Sequence, residues 1–434
     1  MNGETMHALM RRLWPICRSL TGPGVRQTLD ILRERVPEMV IHEVPTGTPC
    51  FDWTVPEEWT IRDAYLQGPD GERVVDFRQN NLHVVGYSSP VDRELDLEEL
   101  QPHLFSIPNQ PDAIPYVTSY YQETWGFCLA HRVRDGLRPG RYRVRIDSDR
   151  RAGSLTYGEA FLPGDSAREI LLSTYVCHPS MANNELSGPV VVAALAEWLR
   201  GRSRRYGYRL VFVPETLGAI CFISRNLEPL KSRVKAGYVV TCCGDERAWS
   251  FVPSPDGSTL SDRAARHVLQ RLAPEYREYS FVTRGSDERQ YCSPGVDLPI
   301  ASIMRSKYGT YPEYHTSRDD LTFVTARGLQ TTLEVYEEVL RTIEDDCVPK
   351  TLTICEPQLS KRGLYPTLSR TGSNVDGAAM MNLLAYANGV RTLLEIATII
   401  EQPVTALRQV VALLVRHDLM SVRPSDASDR DVRA

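Results

Sequence analysis

The chain has 434 residues, a net charge of −5, 42% apolar and 24% charged residues, and ten cysteines. That length predicts two or three domains with an ordinary globular core, and the acidic balance argues against a general nucleic-acid footprint. Cys177, Cys221, Cys242 and Cys243 sit in apolar runs and no C-x-x-C pair occurs, so buried reduced thiols in a cytoplasmic protein are expected rather than a disulfide framework. No apolar signal core opens the sequence and no run approaches the ~20 residues of a membrane span.

In chain order, residues 4–36 read as helices broken at Arg18-Ser19-Leu20-Thr21-Gly22-Pro23-Gly24, where Gly and Pro interrupt the pattern. Residues 60 to about 155 change to short alternating segments such as Asn81–Val85 and Arg141–Ile146, separated by turns such as Gly68-Pro69-Asp70-Gly71; a small inserted β-rich domain is expected there. The apolar run Glu169–Val176 predicts a buried strand, and Val190–Leu199 a helix, with Cys177-His178-Pro179-Ser180-Met181-Ala182-Asn183-Asn184-Glu185-Leu186-Ser187-Gly188 between them. Three further strands are expected at Tyr208–Glu215, Ala236–Gly244 and Leu298–Met304, the last leading to Tyr311-Pro312-Glu313-Tyr314-His315-Thr316. Past residue 346, Pro349, Pro357 and Pro366 mark a linker, and Gly389–Ala397 and Thr405–Leu414 give two helices joined at Gln402-Pro403. That spacing fits a helix-turn-helix inside a winged helix.

Each run in the middle of the chain ends in ionisable residues, as open α/β sheets place their sites at the carboxyl edge. Two histidines and several carboxylates at strand tips suit a zinc-type ion. Each residue also has a plainer reading. A histidine after a strand is more often a hydrogen-bonded structural residue, Asp245-Glu246-Arg247 reads equally as a solvated turn, and Arg305 and Tyr308 read as rim residues as well as substrate contacts.

Read in order, His178, the Asn-rich loop with Ser187-Gly188, Val213-Pro214-Glu215-Thr216-Leu217-Gly218 and Tyr314-His315-Thr316 resemble the co-catalytic zinc aminopeptidases of leucyl-aminopeptidase type. A closer resemblance is to bacterial aminopeptidase-like proteins with a C-terminal winged helix. It rests on Arg18–Gly22, Pro115-Tyr116, Ser119-Tyr120-Tyr121, Trp125-Gly126-Phe127-Cys128 and Gly285-Ser286-Asp287-Glu288-Arg289-Gln290-Tyr291, and covers nearly the whole chain. It implies an α/β fold with a mostly parallel sheet. The zinc-peptidase domain would span 1–59 and 156–345, the inserted β domain 60–155, and the winged helix 346–434. It also implies His178 and His315 as the first and last ligands and Glu215 as general base.

The departures bear on the metal. Asn184, Thr216 and Thr241 stand where the family has carboxylate ligands, and neutral groups do not offset two dications about 3–4 Å apart. One zinc on His178, Glu185 and His315 is therefore expected, with manganese or cobalt as alternatives and Asp287, Arg305, Tyr308 and Tyr314 as substrate contacts. The expected reaction is hydrolysis of a peptide or amide-containing small molecule, in a biosynthetic pathway such as that of a surface polysaccharide. Two alternatives stand beside it: a metal-free protein binding a peptide-like ligand, and a ligand-sensing DNA-binding protein. The second helix of the winged helix carries only Arg408 and Arg416 as basic residues, so nucleic acid is ranked last as a partner, and packing or self-association through that domain is preferred. No membrane partner is expected.

Overall fold

The computed structural model describes residues 1–364 and 377–425. The chain separates into two compact units, Met1–Ser261 with Tyr276–Glu334, and Asp262–Glu275 with the region from Val335 onward.

The first unit is built on an eight-stranded sheet. Its strands run Val40–Pro45, Ser154–Leu162, Gly207–Val213, Glu169–Tyr175, Val234–Val239, Ile300–Met304, Ser250–Val252 and Arg277–Glu278 across the sheet. The four central strands are parallel, while Ser154–Leu162 and Ser250–Val252 pair antiparallel with their inner neighbours. All seven residues of Glu169–Tyr175 are buried, which is why that strand reads as an unbroken apolar run rather than an alternating one. The parallel order brings the carboxyl ends of the central strands together, and with them Cys177-His178, Pro214-Glu215 and Thr241–Asp245.

Between the central strand and the next helix the chain makes one wide turn over Ala182–Leu186, and the helix starts at Ser187 and runs to Arg200. The wide turn is held by Asp319, whose carboxylate accepts from the amides of Asn183 (2.6 Å) and Asn184 (2.9 Å). Those amides head the turn and would otherwise lack partners. Gly188 lies where a Cβ would collide with the Val240 carbonyl and the Thr174 hydroxyl, so the helix packs closely on the sheet only with glycine there.

Residues 58–151 carry a separate antiparallel sheet, ordered Arg73–Asp76, Glu58–Gln67, Arg141–Arg151, Val91–Asp96. Tyr142, Val144 and Ile146 alternate inward on its long strand and pack with Leu66, Val75 and Phe127. A loop between Val91–Asp96 and Arg141–Arg151 meets the loop that follows Ile300–Met304: the Tyr116 amide donates to the His315 carbonyl at 2.9 Å, and the Ser317 amide to the Ile114 carbonyl at 2.8 Å.

In the second unit, strands Cys347–Thr351 and Met420–Pro424 form an antiparallel ribbon beside helices Gly377–Tyr386, Leu393–Ile399 and Val404–Arg416. Thr392 caps Leu393–Ile399 in a reciprocal box with Glu395. Leu407, Val411 and Leu414 supply the buried face of the last helix. Pro349, expected in a linker, instead sits in a ribbon strand, where a two-stranded edge tolerates its missing N–H. Pro366 lies outside the described residues. Among those residues, no single helix is long and apolar enough to cross a membrane.

Candidate functional site

His178 stands just beyond the central strand, almost fully buried at 4% exposure. Its Nδ1 lies 2.7 Å from Glu185 Oε2 and 3.5 Å from Cys177 Sγ. Its Nε2 faces the other way, 3.6 Å from Glu215 Oε2. Burial, assisted by the charge of Arg18, pushes the His178 imidazole down to about 3, so it is neutral near pH 7. Burial pushes Glu185 up to about 8, against the opposing charge of Arg18. Arg18 is itself buried; its Nε donates to the His178 carbonyl at 2.9 Å and Nη1 to the Leu13 carbonyl at 2.7 Å. The Arg18–Gly22 motif thus backs the site from behind. Cys177 and Glu185 meet the same ring nitrogen, so they do not form a nucleophile–base–carboxylate relay, which needs both nitrogens.

Glu215 follows the strand Gly207–Val213, and its amide donates to Cys177 Sγ at 3.2 Å. Burial and the neighbouring Asp287 push its carboxyl well above the usual range. The next residue, Thr216, has φ +64° and ψ −80°, a region that a β-branched side chain rarely occupies. Asp287 Oδ1 accepts from the Thr216 amide at 2.7 Å, and Arg289 donates to the Thr216 hydroxyl at 2.5 Å, so two groups hold the turn. Burial pushes Asp287 up to about 7, and its Oδ2 is buried with no partner.

His315 closes the site from the loop after the strand Ile300–Met304, at φ +56°. Its ring lies 5.4 Å from that of His178, and Tyr116 packs against both rings at 5.1 and 5.2 Å. Tyr314 stacks on His315 at 3.9 Å. Burial pushes His315 down to about 3. His178, Glu215 and His315 share one cleft of about 400 Å³, walled by Leu20, Trp53, Tyr116, Tyr120, Tyr121 and Leu217, with Arg289 at its edge.

The positions where the resemblance expects carboxylates are occupied by hydrogen-bonded neutral groups. Asn184 Nδ2 donates to the Tyr175 hydroxyl at 2.9 Å, and the Thr241 hydroxyl donates to the Asn184 carbonyl at 2.8 Å. Asp245 accepts from the Ser306 amide and hydroxyl and from Asn183. Arg305 lies over the Trp249 ring, and the Tyr308 hydroxyl donates to Glu288 at 2.5 Å. Both residues therefore make their contacts away from the cleft lining, whereas Tyr314 touches His315 directly.

His178 Nε2 and Glu215 Oε2 face each other across 3.6 Å. The 2.7 Å contact at Nδ1 is a direct hydrogen bond, the arrangement by which a carboxylate orients a liganding histidine. Among the described residues the one triad of possible ligand atoms within 4.8 Å of one another is Cys177, His178 and Glu185, on the Nδ1 side of the ring, while Nε2 faces Glu215 in the cleft. Sequence reasoning missed the roles of Arg18 and Asp319. Arg18 was visible within a quoted motif, but its partners lie far along the chain.

Comparison with known proteins agrees with the fold. Residues 7–346 match the family described as "Domain of unknown function (DUF4910)", and residues 347–422 match a winged helix-turn-helix family. A Clostridium acetobutylicum protein named "Putative polysaccharide biosynthesis protein with aminopeptidase-like domain" is 46% identical over 398 residues, 91% of each chain. The crystal structure of a "putative peptidase" from Clostridium acetobutylicum superposes with a TM-score of 0.91 at 43% identity, covering 97% of this chain and 96% of that one. A zinc aminopeptidase from Bacillus subtilis shares the fold at a TM-score of 0.55 and 10% identity, over 77% of this chain and 94% of its own. The chain belongs to the DUF4910 family and carries a winged helix-turn-helix after that domain.

Proposed function

We propose that this protein is a single-metal amide hydrolase. The observation that carries the reading is the pair His178 Nε2 and Glu215 Oε2, 3.6 Å apart beside His315 in an aromatic cleft at the carboxyl edge of the sheet. His178 and His315 would hold the ion with Glu215 beside them, and zinc is favoured by the imidazole donors and by the zinc aminopeptidase that shares the fold. When bound, such an ion polarises water and an amide carbonyl and offsets the charge that develops there. Glu185 then belongs behind His178, fixing its ring through Nδ1, rather than on the ion. Glu215 takes a proton from water and returns it to the leaving nitrogen. The homologue named for polysaccharide biosynthesis supports a small biosynthetic amide as substrate.

A second reading, metal-free ligand binding, is favoured by the hydrogen bonds that occupy Asn184 and Thr241. Elemental mass spectrometry of protein purified without chelators separates the two. About one zinc per chain is expected, lost in His178→Ala and His315→Ala; absence of stoichiometric zinc, manganese or cobalt after supplementation overturns the hydrolase reading. We assign no nucleic-acid role to the winged helix. Its Arg408 points its charge at Asp345, 3.9 Å away, and self-association through that unit is the preferred use, testable by sedimentation.

A further inference from the structure

We propose that the cleft takes an N-acylated sugar bearing an acidic group, and not a substrate with a free amino terminus. This rests on the amide-hydrolase reading above and adds the substrate class.

The outer wall is aromatic and left in solvent. Trp53 and Tyr121 line the cleft, yet they are 41% and 53% exposed. Their rings are 6.1 Å apart and tilted by 56°. The Tyr121 hydroxyl donates to the Thr54 carbonyl at 2.7 Å, tying its ring to the Trp53 segment. Deeper in, the hydroxyls of Tyr116 and Tyr120 bond each other at 3.1 Å. Large rings held apart at the mouth of a site offer apolar faces with polar tips, a surface that packs on the C–H face of a sugar while its hydroxyls stay wet.

The one guanidinium in the lining favours an anionic group over an ammonium. Among the described residues that line the cleft, Glu215 is the one carboxylate and Arg289 the one guanidinium. Arg289 is fixed on the Thr216 hydroxyl at 2.5 Å, next in sequence to Glu215. An amino group beside the scissile bond would approach the Arg289 guanidinium, and like-charge placement of that kind is unfavourable. An acylated nitrogen carries no charge. The remaining guanidinium donors match a carboxylate or phosphate. The volume of about 400 Å³ holds a sugar ring with a short acyl group, within the usual range for small-molecule sites. In the reaction the water oxygen bonds the acyl carbon and the C–N bond breaks. One water proton goes through Glu215 to the nitrogen, so the products are a carboxylic acid and an amino sugar.

Calorimetric binding to Glu215→Gln tests the class, with N-acetylglucosamine 1-phosphate, N-acetylglucosamine and leucinamide as probes. The sugar phosphate is expected to bind at least tenfold tighter than the neutral sugar. Arg289→Ala in the same background should remove that preference, and Trp53→Ala should weaken both sugars. Equal affinity for the two sugars, tighter binding of leucinamide, or no binding of any probe overturns the proposal. Hydrolysis by the zinc-loaded wild type then separates the two claims. Cleavage of leucyl p-nitroanilide alone overturns the substrate class and leaves the hydrolase. Selective sugar-phosphate binding without acetate release supports the recognition and sinks the hydrolase.

Discussion

His178 is held from both edges of its ring, and the two edges have different tasks. Glu185 meets Nδ1 at 2.7 Å while Glu215 stands at 3.6 Å from Nε2. If Glu185 orients the ring, Glu185→Ala should weaken zinc affinity about 10–100-fold, measured by competition with a chelator. Unchanged affinity would remove that role. Glu215→Gln should lower the turnover of any amide substrate about 10²–10⁴-fold, as loss of a general base does, with the far-ultraviolet spectrum intact. His178 and Glu215 were legible because each follows a buried run in the sequence, a local signal, and His315 through the Tyr314-His315-Thr316 motif in the loop after Ile300–Met304. The edge on which Glu185 meets His178 was not. It depends on the wide turn at Ala182–Leu186, which is set by Asp319 more than 130 residues away.

At the scale of the element, the strands were readable because burial on both faces leaves an apolar run, and the winged-helix pair because its apolar period is helical. The wide turn was not readable, because Asp319 fixes it from far along the chain, just before the helix that opens at Ser187. That helix's close approach to the sheet gives a direct test. Gly188→Ala should destabilise the first unit by about 1–3 kcal/mol, the usual range for overpacking, read by chemical denaturation. In the second unit, His267 on the helix Leu260–Leu272 is pushed down to about 4, by burial first and then by Arg271. Its folded pKa lies below the ordinary value near 6.5, so the unfolded chain takes up the proton first. Stability is then full above about pH 6.5 and falls as the pH drops toward 4, by no more than about 3 kcal/mol. Thermal melts of wild type and His267→Gln between pH 7 and 4 should converge as the pH falls.

Across the whole molecule, the cysteines report on packing in both units. Of the ten, Cys355 is exposed, Cys17 is partly covered, and the other eight are buried. A thiol reagent should therefore label one site quickly in the native protein and the buried eight only on unfolding. Fast labelling of several thiols would contradict the burial of Cys177, Cys242 and Cys243 around the strand ends. The two units have cores of their own, so denaturation followed by separate probes need not give one transition.

The twisted backbone at Thr216 carries a consequence of a different kind. A branched residue at φ +64° is held against its own preference, and such positions store about 1–3 kcal/mol. Relieving it with Thr216→Gly should raise the unfolding temperature of the first unit and lower catalytic rate together, because Glu215 would no longer be held at one angle. A more heat-resistant but slower variant would show that this protein's working form is not its most relaxed one.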